Sequence, residues 1–463
     1  MKTKGSVLVG LLWCLALLTV VVIGLLHTAH LGLLTVKNYG DQVQAHYLAL
    51  AGVEKAKALL YHDAADRKRS GRNHSGNLYD SAESFRDVSL ARGHFTIFKQ
   101  SHRDDGGKVS YGIADEESRL NLNQATLEEL LNLNGITPDV AASILDWRDS
   151  NNAVTPGGAE ADYYASLQPP YLPRNGPFES VRELLMVRGV TPELFLGEDT
   201  NQNGLLDPEE DDGRESRPID NHDGILDAGW SGLLTVNSSV ANVNAAGDDR
   251  VNVQEADEKE LTKVHGITTD LARAIISSRG QNQFKTIADL LDVSAVASNQ
   301  GFPSTPATPG PGANRATNIR GQSPANVPSQ PTGPKLISED LLMEIADDIT
   351  VAGDADQAGA VNINTASADV LACLPGCTPQ LAQAVVSYRH SAGYFPNVAW
   401  LLKVDGMTRE IFRQLAPRVS VRSETFRILS EGRVDSTGAR KRIQMVVRLS
   451  VTGFETLGYR EDL

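Results

Sequence analysis
Cysteine is nearly absent. The 463 residues contain only Cys14, Cys373 and Cys377, too few for a disulfide framework or a Cys-rich zinc domain. Positive charge is also short: 43 Lys and Arg stand against 58 Asp and Glu, a formal net charge of −15. That balance argues against bulk nucleic-acid binding, because phosphate contacts need concentrated cations. The ten His residues are scattered, without H-E-x-x-H or paired metal spacing, and no motif sets a nucleophile beside a base. An enzyme is therefore not expected. The apolar share of 41% rules out a wholly disordered chain, and the length suits about three domains at roughly 150 residues each.

The amino terminus carries the one long hydrophobic run. Lys2 and Lys4 precede Gly5, and no Asp, Glu, Lys or Arg follows until Lys37. As a helix, Ser6 to Leu26 is long enough to cross a hydrocarbon core of ~30 Å, and the leading lysines favour a cytoplasmic start. The run exceeds the apolar core of a cleaved secretory signal, so a retained single-pass anchor is expected. From Asp41 to Tyr61, Val43, Tyr47, Leu50, Ala51, Val53 and Leu59 keep helical spacing. This predicts one helix over 6–62, after a leader at 1–5, that turns amphipathic beyond the membrane.

A single pattern then occurs three times: LNLNQATLEELLNLNGITPDVAASILDWR from Leu120, VNVQEADEKELTKVHGITTDLARAIISSR from Val251 and VNINTASADVLACLPGCTPQLAQAVVSYR from Val361. Gly135, Gly266 and Gly376 align, as do Ala141, Ala272 and Ala382, and Arg148, Arg279 and Arg389. Downstream, Phe178, Phe284 and Phe395 each precede a Leu-Leu pair by six residues. Each unit reads as helix, Gly turn, helix and a second, shorter helical pair, the helix-hairpin-helix pattern. The glycine serves a turn with positive φ, and the alanine a close helix crossing. The units are expected at 115–236, 250–351 and 361–421, the second interrupted over 299–334, which holds eight of the 21 prolines and reads as a flexible linker. Lys and Arg do not cluster beside the Gly turns. The repeated arginines are expected to bind carbonyls within their own unit rather than DNA phosphates.

The acidic insertion at 198–227 is the metal candidate. Its eleven acidic and two basic residues sum to −9 of the −15 total. The spacing fits a twelve-residue calcium loop: Asp199 first, Asn201 third, Asn203 fifth, Gly204 at the sharp turn, the Leu205 carbonyl seventh, Asp207 ninth and Glu210 twelfth. Oxygen ligands without His or Cys favour calcium over zinc. A second run, DNHDGILD, offers Asp220, Asp223 and Asp227 as a weaker site. Alternating segments at Phe85 to Phe98, Lys108 to Ala114, Thr425 to Val434 and Arg442 to Thr452 predict an antiparallel sheet over 84–114 plus 422–454. Cys373 and Cys377 bracket Leu-Pro-Gly at the third turn, either as a disulfide or as buried apolar thiols.

A short basic leader ending in Gly, then a hydrophobic helix running on into a soluble one, resembles the type IV pilin-like proteins. The resemblance implies a prepilin peptidase that cuts between Gly5 and Ser6, followed by methylation of the freed amine. Counted from Ser6, the fifth residue is Gly10, where major pilins carry a glutamate that contacts a neighbouring subunit. Its absence suits a tip subunit and resembles the K-type minor pseudopilin of type II secretion. Asp146-Trp147, Glu160, Tyr163 and Tyr164 fit the pattern of that family's first helical domain. The resemblance implies an α+β fold, a pilin-like long helix and antiparallel sheet with inserted helix-hairpin-helix units. It implies calcium, a bacterial inner-membrane anchor with a periplasmic body, and I-type and J-type minor pseudopilins and the type II secretion inner-membrane platform as partners. The alternative is a membrane-anchored helix-hairpin-helix DNA receptor for DNA uptake, since the third hairpin is similar to those of competence proteins.

Overall fold
The computed structural model describes residues 4–73, 80–99, 109–202, 204–215, 217–295, 334–450 and 453–461. Residues 1–3 of the expected leader, Asn203 and all but Pro334 of the expected linker lie outside them. The amino-terminal helix Lys4–Ser70 has 67 residues, about 100 Å at 1.5 Å per residue. Its apolar part is exposed on every side from Val7 to Gly40. From there one face is buried, through Ala45, Leu48, Ala49, Val53, Ala56 and Leu60. This stripe differs from the expected one: Tyr47 is 63% exposed, while alanines make the contact. The reason is closeness, because the helix backbone lies almost on the sheet.

That sheet is antiparallel and runs Val88–Leu90, Gly93–Lys99, Thr425–Val434, Arg440–Ser450, Gly453–Arg460, with Ser110–Tyr111 and Ala114–Asp115 added at the side. Phe95, Ile97, Phe426, Ile428, Ile443, Met445 and Val447 form its buried face and pack with Ala49, Val53, Ala56 and Leu60 of the helix. Glycines set the spacing. A Cβ on Gly432 would lie 2.1 Å from the Ala45 carbonyl oxygen and 2.4 Å from the Ala49 nitrogen, and one on Gly52 would lie 2.2 Å from Ser430 Oγ. The sheet is wider than the expected 84–114 plus 422–454. Gly453–Arg460 adds an edge strand whose two glycines and half-exposed side chains hide the alternation, and Phe85 ends a short helix instead of opening a strand.

The helical units are inserted between Asp115 and Thr425. Each opens on a two-residue strand that pairs in parallel with the strand on which it closes: Leu120–Asn121 with Leu234–Thr235, Val251–Asn252 with Ile349–Thr350, and Val361–Asn362 with Val419–Ser420. Between these lie the hairpin helices, Leu127–Leu131 and Pro138–Arg148, Glu258–Leu261 and Thr269–Gln281, Ala368–Ala372 and Pro379–Ala392. Side-chain caps from Thr137, Thr268 and Thr378 start the longer helices, each worth about 1 kcal/mol. Gly135, Gly266 and Gly376 take φ of +76, +89 and +70, so the repeated glycine answers a backbone requirement. The three units share one continuous hydrophobic core. The fold is α+β, as expected.

Candidate functional site
The acidic insertion leaves the first unit through a narrow neck. The Glu198 N–H donates to the Asp227 carbonyl (2.6 Å), the Asp227 N–H to Glu198 Oε2 (2.9 Å) and the Gly229 N–H to Asp227 Oδ1 (3.0 Å). A Cβ on Gly197 would meet the Asp227 carbonyl oxygen at 2.1 Å. Burial pushes the Glu198 carboxyl above its ordinary range.

Within the insertion, five of the six expected ligands are described. Asp199 is buried and its Oδ2 accepts the Gly204 N–H at 3.0 Å, closing the turn where Gly204 has φ +70. Asn201 Nδ2 donates to Asp207 Oδ2 (2.9 Å). Glu210, also buried, accepts from Thr200 through Oε1 and from the Asp207 N–H through Oε2. The donors of the loop, carboxylates, an amide and the Leu205 carbonyl, are hard oxygens of the class calcium takes, but Asp199, Asp207 and Glu210 do not form a group of carboxylates within 4.8 Å of one another among the described residues.

The second run does not act as one group. Asp220 accepts from the N–H groups of Asp212, Gly213 and His222, and its ligand atom lies within 4.8 Å of those of Asp211 and His222. Asp223 instead accepts the Ile225 N–H, and Asp227 closes the neck. Asp211 and His222 escape the sequence because Asp211 belongs to the first run and is folded back onto the second.

The repeated arginines bind inside their units. Arg148 donates to the carbonyls of Leu122 and Ala125, Arg279 to Val253 (2.8 Å), and Arg389 to Ile363 and Ala366 (3.3 and 2.5 Å). Each ties the end of the longer hairpin helix to the turn that follows the opening strand. A second repeated clasp has no signal in the sequence. Asn123 and Asn364 each exchange two hydrogen bonds with the backbone of Phe178 and Phe395, and Gln254 accepts from the Phe284 N–H.

A buried polar junction joins sheet and units. Asp115 accepts from Asn362 (3.0 Å), Thr365 and Ser423 (2.5 Å). Glu116 receives Arg427 Nε (2.6 Å) and Thr235 Oγ1 (2.5 Å), while Glu117 receives the N–H groups of Thr425 and Ser239. Burial, then the Asp115 charge, holds Glu117 well above the usual carboxylate range. For Glu116 burial acts upward, but Arg427 and Arg119 outweigh it and hold the carboxyl low. Burial lowers Arg119 to about 10. The run DEESR carries this junction, and in the sequence it reads only as the lead-in to a repeat. The cysteines are free, with Cys373 and Cys377 buried.

Residues 110–196 match the family described as Type II secretion system (T2SS), protein K, and residues 247–300 and 356–420 match the helix-hairpin-helix motif. Type II secretion system protein K of Pectobacterium carotovorum subsp. carotovorum is 24% identical over 210 residues, 42% of this chain and 60% of the relative, so the chain spans under two thirds of that protein's length. Endonuclease/exonuclease/phosphatase family domain-containing protein 1 of Rattus norvegicus is 28% identical over 176 residues, 37% of this chain and 28% of the relative. A chain in the crystal structure of the GspK-GspI-GspJ complex from the enterotoxigenic Escherichia coli type 2 secretion system superposes with a TM-score of 0.43 at 12% identity, covering 92% of this chain and 99% of that one. With a segment that matches protein K inserted beside an antiparallel sheet that lies on a long apolar helix, the chain is similar to the K-type minor pseudopilins of type II secretion.

Proposed function
We propose that the chain is the tip subunit of a type II secretion pseudopilus, where it seeds assembly and supports protein export across the outer membrane. The observation that carries this reading is the bare apolar half of the amino-terminal helix, which has open space around Gly10. A glutamate there would serve a subunit stacked ahead, and a subunit that lacks it suits the end of a filament. The exposed apolar face supplies a packing surface for the helices of I-type and J-type minor pseudopilins. The anchor lies in the inner membrane with the body in the periplasm, and assembly begins on the inner-membrane platform. The chain is a substrate of the prepilin peptidase and has no catalytic step of its own. Calcium, held by the acidic insertion through Asp199, Asn201, Asn203, Leu205, Asp207 and Glu210, orders that loop.

The test compares the mature amino terminus by mass spectrometry in cells with and without the peptidase. A methylated start at Ser6, lost with the peptidase, is expected. A start elsewhere removes Gly10 from the fifth position and overturns the tip assignment. The helix-hairpin-helix matches favour one rival, a DNA receptor. Against it, the unit arginines bind inside the protein: besides the three repeated ones, Arg273 pairs with Glu258 and Arg418 with Glu129. Tight, salt-sensitive DNA binding by the full chain would favour the rival.

A further inference from the structure
Between the sheet and the helical units lie three hollows that share walls. The first, of about 280 Å³, rests on Phe98, Leu429 and Val446, which alternate with the residues that the sheet buries against the long helix. The second, of about 480 Å³, shares Val236, Asn237 and Leu457 with the first. The third, of about 700 Å³, shares Ser239 and Arg448 with the second and reaches Tyr61, Lys68 and Arg72 at the far end of the long helix. Together they make one groove along the edge strand Gly453–Arg460, from Arg460 in the first hollow to Glu455 in the third.

The groove is positive in a chain whose net charge is −15. Ten Lys and Arg line it against six Asp and Glu, and the excess is least neutralised in the third hollow. There Arg422 pairs with Glu424 and Arg67 with Asp63. Lys68 and Arg72 make no ion pair among the described residues, and Arg448 gives one long hydrogen bond, to the Ser239 carbonyl at 3.5 Å. The Lys68 side chain lies along the wall, where a Cβ on Gly247 would stand 3.4 Å from its Nζ. Cations gathered in a cleft raise the local concentration of anionic partners.

The strand beside these cations is the last of its sheet, with a neighbour on one side only. An open edge offers a row of backbone donors and acceptors to another chain, and folds usually cover it or blunt it with charge. Here charge stands only toward the ends, at Glu455 and Arg460. The pairing partner of such an edge is a peptide backbone, which a nucleic acid lacks. Lipid headgroups are out of reach, because Lys68 stands about 60 Å along the helix from Leu26 at ~1.5 Å per residue.

We propose that an acidic, extended segment of a partner protein adds to the edge strand Gly453–Arg460 and lays its carboxylates against Arg448, Lys68 and Arg72. Its main chain supplies affinity by strand pairing, and its alternate side chains, facing the groove, supply selectivity. The eight residues of the edge strand give such a segment ~27 Å to lie on at ~3.4 Å per residue.

The test selects a random eight-residue peptide library, displayed on phage, on the full chain in detergent. The selected peptides are expected to be rich in Asp and Glu, and a labelled synthetic copy is then titrated by fluorescence anisotropy. Lys68→Glu combined with Arg72→Glu should weaken its binding at least tenfold at low salt, as should raising NaCl from 50 to 500 mM. Arg69→Glu, on the same turn but outside the groove and paired with Asp66, should leave it unchanged. N-methylation of every second peptide amide should abolish binding in one alternation and spare it in the other, as strand pairing requires. A selected pool without acidic excess, an affinity unmoved by the double reversal, or an equal effect of the two N-methylation patterns overturns the proposal. So does a single-stranded oligothymidylate that binds more tightly than the peptide and is lost with the same two residues. Should the double reversal fail to fold by circular dichroism, Lys68→Gln with Arg72→Gln decides by the same measure.

Discussion

Gly432→Ala is the sharpest probe of how the anchor helix is fixed to the body. The added Cβ would stand 2.1 Å from the Ala45 carbonyl oxygen and 2.4 Å from the Ala49 nitrogen, whereas an ordinary contact needs about 3.5 Å. Both atoms are backbone, so no side chain can rotate out of the way. The helix must lift by about 1 Å, a gap that forfeits roughly a quarter to a half of each dispersion contact along its buried stripe. The lifted residues include Leu48, Val53 and Leu60, all nearly inaccessible to solvent. Overpacking of this kind costs about 3 kcal/mol, or roughly 6–12 °C of melting temperature at about 2–4 °C per kcal/mol. Differential scanning calorimetry of the detergent-solubilised full chain measures it. Gly280→Ala is the control: nothing lies within 4 Å of its Cβ, it sits in helix Thr269–Gln281, and alanine there should stabilise by about 0.8 kcal/mol. Unchanged melting for Gly432→Ala would refute the claim that helix and sheet meet backbone to backbone.

Four other outcomes are expected. Arg389→Ala should cost about 2 kcal/mol in urea denaturation, since it strips a charged donor from the Ile363 and Ala366 carbonyls, while a surface variant such as Lys403→Ala should cost far less. Glu117 has its folded-state pKa raised by burial and by the Asp115 charge. Its bound proton therefore stabilises the fold below the ordinary glutamate range, and this contribution is lost as pH rises through the raised value. Glu117→Gln should accordingly match the wild type at acid pH and exceed it at higher pH, and a gap that widens toward acid would contradict the assignment. Burial raises the Cys373 and Cys377 thiols to about 12 and about 11, so at pH 8 their alkylation should be slow in the folded chain and fast in urea, as followed by mass spectrometry. Glu210→Gln should remove most of the melting-temperature gain that calcium gives through the insertion, which at a hundredfold excess over Kd is worth about 2.7 kcal/mol.

The parts of the molecule visible in the sequence are those with a period. Helical spacing and the aligned glycines exposed the three hairpins because each Gly turn needs positive φ in the same place. The arginine clasps followed from alignment alone. What stayed hidden lacks a period or joins distant segments. The closing strand pairs have two residues each, too short for alternation to register. The buried stripe of the helix is hidden because large apolar residues suggest a different face in the sequence, while close approach selects Ala45, Ala49 and Gly52. In the insertion, spacing indicated Asp199 through Glu210, but the grouping of Asp211 with Asp220 and His222 depends on how the loop folds back. The junction at Asp115 to Glu117 meets partners more than a hundred residues away, such as Thr235, Asn362 and Arg427.

Because each helical unit starts and finishes on neighbouring parallel strands of only two residues, its two chain ends lie close together, at opposite ends of a very short pair. A unit can thus be added or removed as a closed loop, and the sheet strands at Asp115 and Thr425 need not move apart to accommodate it. The size of the helical part and the geometry of helix on sheet are thereby decoupled: the inserted bulk can grow by whole units while the long helix and its sheet keep their dimensions.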